Sequence, residues 1–140
     1  MPPPYLVDTN VYIRSTNDPD FAVRFEAFQR STDPLFVSTV VLAEVLLGTP
    51  RRDAHDEIIR TLTAGTTPLT PTRDDWLSAA SAIARLGGEL VTKSRSFWND
   101  AILAAQCERL GITLITQNTA DFRRLRRFVA ASVTAPFPVR

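Results

Sequence analysis

The 140-residue sequence predicts an α/β fold built on a mainly parallel sheet covered on both faces. Three observations predict it. Short β-prone runs, "YLV", "LFVS" and "ITLIT", alternate with longer segments of helical spacing. The runs are apolar along their whole length, the pattern of strands buried on both faces. Acids and amides then follow two of them closely, where open parallel sheets bind ligands beyond the carboxyl ends of their strands.

Taken in order, Tyr5–Val7 runs into Asp8, Thr9 and Asn10. In "DPDFAVRFEAFQR", Phe21, Phe25 and Phe28 recur at helical spacing, with Asp18 or Asp20 as cap. Asp33-Pro34 breaks the chain before the strand "LFVS". "TVVLAEVLLG" reads as a helix that is apolar on every side except Glu44 and stops at Gly48. A polar helix is expected from about Arg51 to Leu62, then a brief extended piece. Thr72 is a helix cap with Asp75 three residues on, and Trp76, Ala80, Ile83 and Gly87 fall on one stripe of that helix. "VTKSRS" reads as a basic loop, with Ser96 capping the helix "FWNDAILAAQCERLG", which ends at Gly111. "ITLIT" is a strand, "ADFRRLRRF" a helical turn and "VAASVTAPFPV" a weak final strand. No repeat, linker or low-complexity segment interrupts the pattern, so residues 1–140 are expected to form one domain.

Composition narrows the chemistry. Apolar residues at 44% and charged residues at 22% are ordinary for a soluble chain. Sixteen basic against fifteen acidic residues favour no partner class, so any attraction to nucleic acid must come from local patches. The single cysteine, Cys107, excludes an internal disulfide and a multi-cysteine zinc site, and the single histidine, His55, excludes a cluster of imidazoles. His55 sits in a polar helix and is given no role. A metal here would be held by carboxylates. The start "MPPPYLVDTN" lacks the features of a signal peptide, and "VVLAEVLLG" is broken by Glu44 well short of the roughly 18 apolar residues of a spanning helix. A cytoplasmic location without membrane insertion is the expectation, with Cys107 reduced.

The acids carry the functional signal. Glu44 lies in a helix with no polar face, where an unpaired carboxylate is costly or shifts its pKa upward. An arginine or backbone-amide partner would be the structural explanation. Asp100, in the first turn of its helix, would be favoured there by the helix dipole alone. Asp8 would serve as a turn residue and Asp121 as a cap. Four separate explanations are less economical than one site. Clustered carboxylates repel unless a cation neutralises them, and hard oxygen ligands suit Mg2+ or Mn2+, which activate water and stabilise phosphoryl charge. Thr9, Ser38, Thr116 and Asn118 are candidate donors orienting these acids, or turn formers. Arg51-Arg52, Lys93, Arg95 and the run Arg123, Arg124, Arg126 and Arg127 flank the acidic segments. The last run follows Asp121 directly, and arginine pairs well with phosphate.

"LVDTNVYI", "STVVLAEVLLG" and "NDAILAAQCERLGITLITQNTADF" resemble, in order and spacing, the motifs of PIN-domain ribonucleases, most closely the VapC-like toxins of bacterial type II toxin–antitoxin systems. The resemblance covers nearly the whole chain. It implies a three-layer α/β/α sandwich on a parallel sheet of four or five strands. It implies a catalytic quartet of Asp8, Glu44, Asp100 and Asp121, with Asp8, Asp100 and Asp121 as metal ligands. Asn10, Thr116 and Asn118 match the supporting polar positions. The implied activity is Mg2+- or Mn2+-dependent endonucleolytic cleavage of RNA, tRNA being one candidate, to a 5′-phosphate and a 3′-hydroxyl. The implied partners are a VapB-like antitoxin and a second copy of the chain. Arg123, Arg124, Lys93 and Arg95 are the candidates for RNA phosphates. One departure is the bulky basic approach "VTKSRSFWND" before Asp100, where Trp98 either stacks on a base or packs.

Two other readings are weighed. A catalytically inactive PIN-like module would bind RNA or protein, but all four acids are present. A phosphatase of the haloacid-dehalogenase type also starts from an acidic strand end, but needs a second Asp two residues on, where this chain has Asn10.

Overall fold

The computed structural model describes residues 4–32, 34–87 and 95–138. Five parallel strands, β1 (Tyr5–Val7), β2 (Leu35–Ser38), β3 (Thr67–Leu69), β4 (Thr113–Ile115) and β5 (Val133–Thr134), lie in the order β3-β2-β1-β4-β5. Seven α-helices among the described residues flank them in a three-layer α/β/α arrangement: α1 (Thr9–Asn17), α2 (Pro19–Ser31), α3 (Thr39–Leu47), α4 (His55–Thr63), α5 (Arg73–Leu86), α6 (Arg95–Leu110) and α7 (Thr119–Leu125). On one side α1 packs on α2 and α3, and α3 on α4; on the other, α6 packs on both α5 and α7.

The apolar runs become the inner strands because those positions are covered twice. β1 is buried at every residue, whereas the edge strands β3 and β5 are partly exposed. The phenylalanines of α2 fill the space beside the sheet: Phe28 meets Tyr5 edge-on, and Phe137, near the end of the chain, packs against Phe21, Phe25 and Phe28. Asp18 caps α2 by accepting from Phe21 N, with Pro19 in the first turn, as its sequence position predicts.

The remaining expectations divide. α1 is not announced by its mostly polar sequence; only Val11 and Tyr12 supply an apolar anchor, and Asp8 caps its start. α3 ends at Leu47, but Gly48 has right-handed backbone, so the helix stops without a left-handed glycine. The buried stripe of α5 is Asp75, Ala79, Ala82 and Ile83, one step round from the expected one, and Trp76 is 45% exposed. α6 starts at Arg95, so Ser96 lies inside it and Asp100 stands in its second turn, beyond the strongest reach of the helix dipole. The break at Asp33 and the loop up to Ser94 lie outside the described residues. His55 is not simply solvated: Nε2 is 2.9 Å from the Thr49 carbonyl.

The offset of the α5 stripe has a cause. Asp75 is 2% exposed because Arg109 of α6 donates through Nε and Nη2 to its two oxygens at 2.9 Å each, while Thr72 and Asp75 close a reciprocal capping box. Burial alone would raise the Asp75 carboxyl, but Arg109 and the Thr72 N–H outweigh it and hold it below its ordinary value. Asp75→Ala is expected to cost about 3 kcal/mol in urea denaturation, since it leaves a guanidinium unpaired and the helix uncapped. A loss near zero would show that the pair contributes nothing net.

Candidate active site

The strand order explains where the acids meet. The chain builds β1, β2 and β3 outward on one side, then returns to place β4 and β5 on the other, so β1 and β4 flank the point where the topology reverses. Ligands bind beyond the carboxyl ends of strands at such a point. Asp8 leaves β1 there, its N–H bonded to Ile115 O of β4 at 2.9 Å. Thr116 and Asn118 leave β4 beside it.

Asp8 is buried and fully engaged. Oδ1 accepts from Thr9 N at 2.7 Å; Oδ2 accepts from Thr116 Oγ1 at 2.8 Å and from Asn10 Nδ2 at 3.3 Å. Burial pushes its carboxyl up to about 6 against those bonds, with a further push from the charge of Glu44. Thr116, fully buried, is the hub. It also accepts from Asn10 Nδ2 and from Asn118 N, each at 3.0 Å. Asn10 Oδ1 in turn accepts from Gln117 N at 3.1 Å, a main-chain link that no local sequence signal announces. Asn10 and Thr116 thus bond Asp8 and each other, and with the Gln117 and Asn118 N–H groups they tie the ends of β1 and β4 together.

Asp100 comes from α6 and is 4% exposed. Burial pushes its carboxyl up to about 8, and the charges of Asp8, Glu44 and Asp121 push the same way, opposed by the Asn118 amide. The other three expected acids thus all act on Asp100 through space. Asn118 is the wedge: Nδ2 donates to Asp121 Oδ2 at 2.7 Å and to Asp100 Oδ2 at 3.4 Å. It occupies the cap position of α7, so Asp121 lies in the first turn and is not the cap. Glu44 is half-buried, and its partner among the described residues is the hydroxyl of Thr9 at 3.0 Å, neither an arginine nor a backbone amide. Ser38 does something else: it caps α3 by accepting from Val40 N at 3.2 Å.

The donor set suits a hard divalent cation. Three charges act on a fourth buried carboxylate, and the only positive charge between Asp100 and Asp121 in the bonds described is the partial charge of the Asn118 amide. Among the described residues no three acidic side chains are already gathered into a ligand cage. Unneutralised carboxylates gain more by turning to hydroxyls and amides than by converging, which is the arrangement seen.

The basic candidates separate. Arg124 lies over the ring of Phe97, 5.1 Å from its centroid, on the α6 side. Arg123 instead lines a groove between α7 and β5. Arg51 is paired with Asp53 at 2.9 Å. Lys93 and the side chain of Arg95 lie outside the described residues. Trp98 is half-buried against the core with its ring 5.8 Å from that of Trp76, so it packs. Cys107 is buried and its thiol pushed up to about 12, chiefly by burial, which removes it as a nucleophile.

The sequence profile of the PIN domain matches residues 5–127. Several solved structures share the fold. VapBC-1 from nontypeable Haemophilus influenzae matches with a TM-score of 0.69 at 21% identity, covering 94% of this chain and 97% of that chain. A toxin–antitoxin complex from Klebsiella pneumoniae matches at 0.65 and 20% identity, covering 96% and 99%. DNA-bound VapBC from Salmonella typhimurium matches at 0.65 and 18% identity, covering 96% and 98%. No curated protein sequence matches the chain.

Proposed function

This chain belongs to the PIN-domain family, and from that premise we propose that it is a metal-dependent endoribonuclease of the VapC toxin type, held in check by an antitoxin. The observation that carries the reading is the coupling of four carboxylates at the reversal of the sheet, with Asp100 raised to about 8 by burial and by the other three. Asp75, an acid spent on structure, is paired with the Arg109 guanidinium, whereas the bonds described for these four acids come from hydroxyls and amides and none from a cation.

In this reading Asp8, Asp100 and Asp121 would hold Mg2+ or Mn2+, and Glu44 would hold it as well or orient water. The ion, when bound, supplies charge neutralisation and makes water acidic enough to attack phosphorus. The chain does the rest. Thr116, Asn10 and the Thr9 N–H fix the rotamer of Asp8. The Thr9 hydroxyl holds Glu44 toward the same rim, and Asn118 keeps Asp121 turned toward Asp100. The arginines that follow Asp121 hold phosphates of a single-stranded or looped RNA. An apolar groove of about 830 Å3 between α1, α2, α3 and α4, with Glu44 on its wall, supports a protein partner. Relatives crystallised as toxin–antitoxin complexes support the same identity for it, and a homodimer belongs to the same reading. No helix of the described residues is long and apolar enough to cross a membrane.

The test is incubation of partner-free protein with total bacterial RNA, with Mg2+ or EDTA, beside Asp8→Asn. Discrete fragments that need both the metal and Asp8 are expected. Cleavage at the parent rate by Asp8→Asn would remove the metal assignment. Binding of RNA without cleavage, by folded protein in Mg2+ and in Mn2+, would leave a binding module instead.

A further inference from the structure

We infer that the groove between α7 and β5 is a second RNA-binding element, a track for the phosphodiester backbone that starts beside the acids and follows the open edge of the sheet. The inference rests on the ribonuclease reading for its class of ligand. The groove encloses about 680 Å3, and its walls include Thr113, Thr119, Arg123, Arg126, Ser132 and Thr134.

The chemistry of that wall is one-sided. Among the described residues two arginines and four hydroxyls line it and no carboxylate does, the nearby Glu108 carboxylate being taken up by the N–H of the wall residue Ala130. Arg123, in the last turn of α7, and Arg126, the residue that caps its end with right-handed backbone, are three residues apart and both line the groove. Among the described residues neither is in an ion pair or over an aromatic ring, whereas Arg124 lies over Phe97 and Arg127 over Phe128. None of the large exposed apolar side chains lies in it, so the surface has little to offer a hydrophobic partner. Unpaired guanidinium forks among hydroxyls suit phosphate oxygens.

Position gives the groove its direction. Thr119 follows Asn118, the residue that bonds both Asp100 and Asp121. Thr134 accepts through its carbonyl from Thr116 N at 3.0 Å, and Thr116 holds Asp8. The groove therefore begins at the residues that carry the acids and runs down to Thr113 at the start of β4. A strand whose scissile phosphate sits at the acidic rim would lay its flanking phosphates on Arg123 and Arg126. Arg124, over the ring of Phe97 on the α6 side, would meet phosphate outside the groove. Sequence alone could not separate these neighbours.

The experiment is equilibrium binding of a short fluorescent single-stranded RNA in EDTA, so that no cleavage intervenes. The parent is compared with Arg123→Ala/Arg126→Ala, with Ser132→Asp, which adds a negative charge to the wall, and with the surface control Arg52→Ala/Arg73→Ala. At near-physiological salt the groove variants should bind about tenfold more weakly. For the double variant the slope of log affinity against log salt should be smaller by about 1.4. Unchanged binding in both groove variants, or equal weakening in the surface control, would overturn the inference. Poly-glutamate binding more tightly than RNA of matched charge, through the same two arginines, would overturn it too and reassign the groove to an acidic protein segment. Metal-dependent cleavage with RNA binding indifferent to the groove would sink this inference alone. Binding through the groove without cleavage would sink the nuclease reading and leave the groove standing.

Discussion

Asp100→Asn is expected to lower RNA cleavage by roughly 10^3-fold or more, while making the metal-free protein more stable than the parent. The two halves have one cause. Asp100 is buried among three other acids and pushed up to about 8. Near neutral pH, folding therefore forces this carboxyl to keep a proton that it would lose in the unfolded chain. That costs on the order of 2–4 kcal/mol. Asparagine removes the titrating group and keeps an oxygen that can accept from Asn118, so the cost goes and the bond can stay. Urea denaturation in EDTA, run beside the cleavage assay, reads both effects. An Asp100→Asn protein less stable than the parent would mean that Asp100 is a well-paired structural acid, and the case for a strained site would fail.

The metal-free protein should also lose stability as pH rises, and Mg2+ should restore it most at the alkaline end. The ordinary carboxyl value is 3.8, against about 6 for folded Asp8 and about 8 for folded Asp100. Between those values the folded state retains protons that the unfolded chain has released. Stability then falls with pH, by up to about 1.4 kcal/mol per pH unit for each retained proton. Above about 8 both groups are ionised in either state and the loss is complete. Asp75 acts in the opposite sense: its lowered value adds stability above the ordinary carboxyl range, lost only as the solution turns strongly acid. The two windows do not overlap, so the fall between pH 5 and pH 8 belongs to Asp8 and Asp100, the buried Cys107 thiol adding its own only above its ordinary value of 9. A divalent cation competes with the protons on these oxygens, so its stabilising effect grows as they leave. Thermal melts in EDTA and in Mg2+ at pH 5 and pH 8 would check this. An equal Mg2+ effect at both, or none, would separate the raised carboxyls from metal binding.

Much of the architecture was legible locally. Strands buried on both faces need continuous apolar residues, so "YLV", "LFVS" and "ITLIT" marked three of the five strands. Caps act within one helical turn, so Asp18 and the Thr72–Asp75 box could be read from spacing alone. α1 carries no sequence signal because a helix held by two buried apolar residues shows too little periodicity. The stripe of α5 was misplaced because a large Trp76 outweighs small alanines in any apolar pattern, whereas close packing against α6 selects Ala79 and Ala82 and leaves the tryptophan at the rim.

The sequence by itself determined which residues bear the acids, where they stand relative to strand ends, and that no cysteine or histidine cluster could hold a metal. Only the tertiary structure decided who meets whom. Thr116 reaches Asp8 across 108 positions, and the Thr9 hydroxyl reaches Glu44 across 35. Arg123 and Arg124, adjacent in the chain, turn to different surfaces. The reason is physical. Propensity and capping are settled within a few residues, whereas hydrogen-bond partners and the repulsion between carboxylates depend on distances that exist only once β4 has come to lie beside β1.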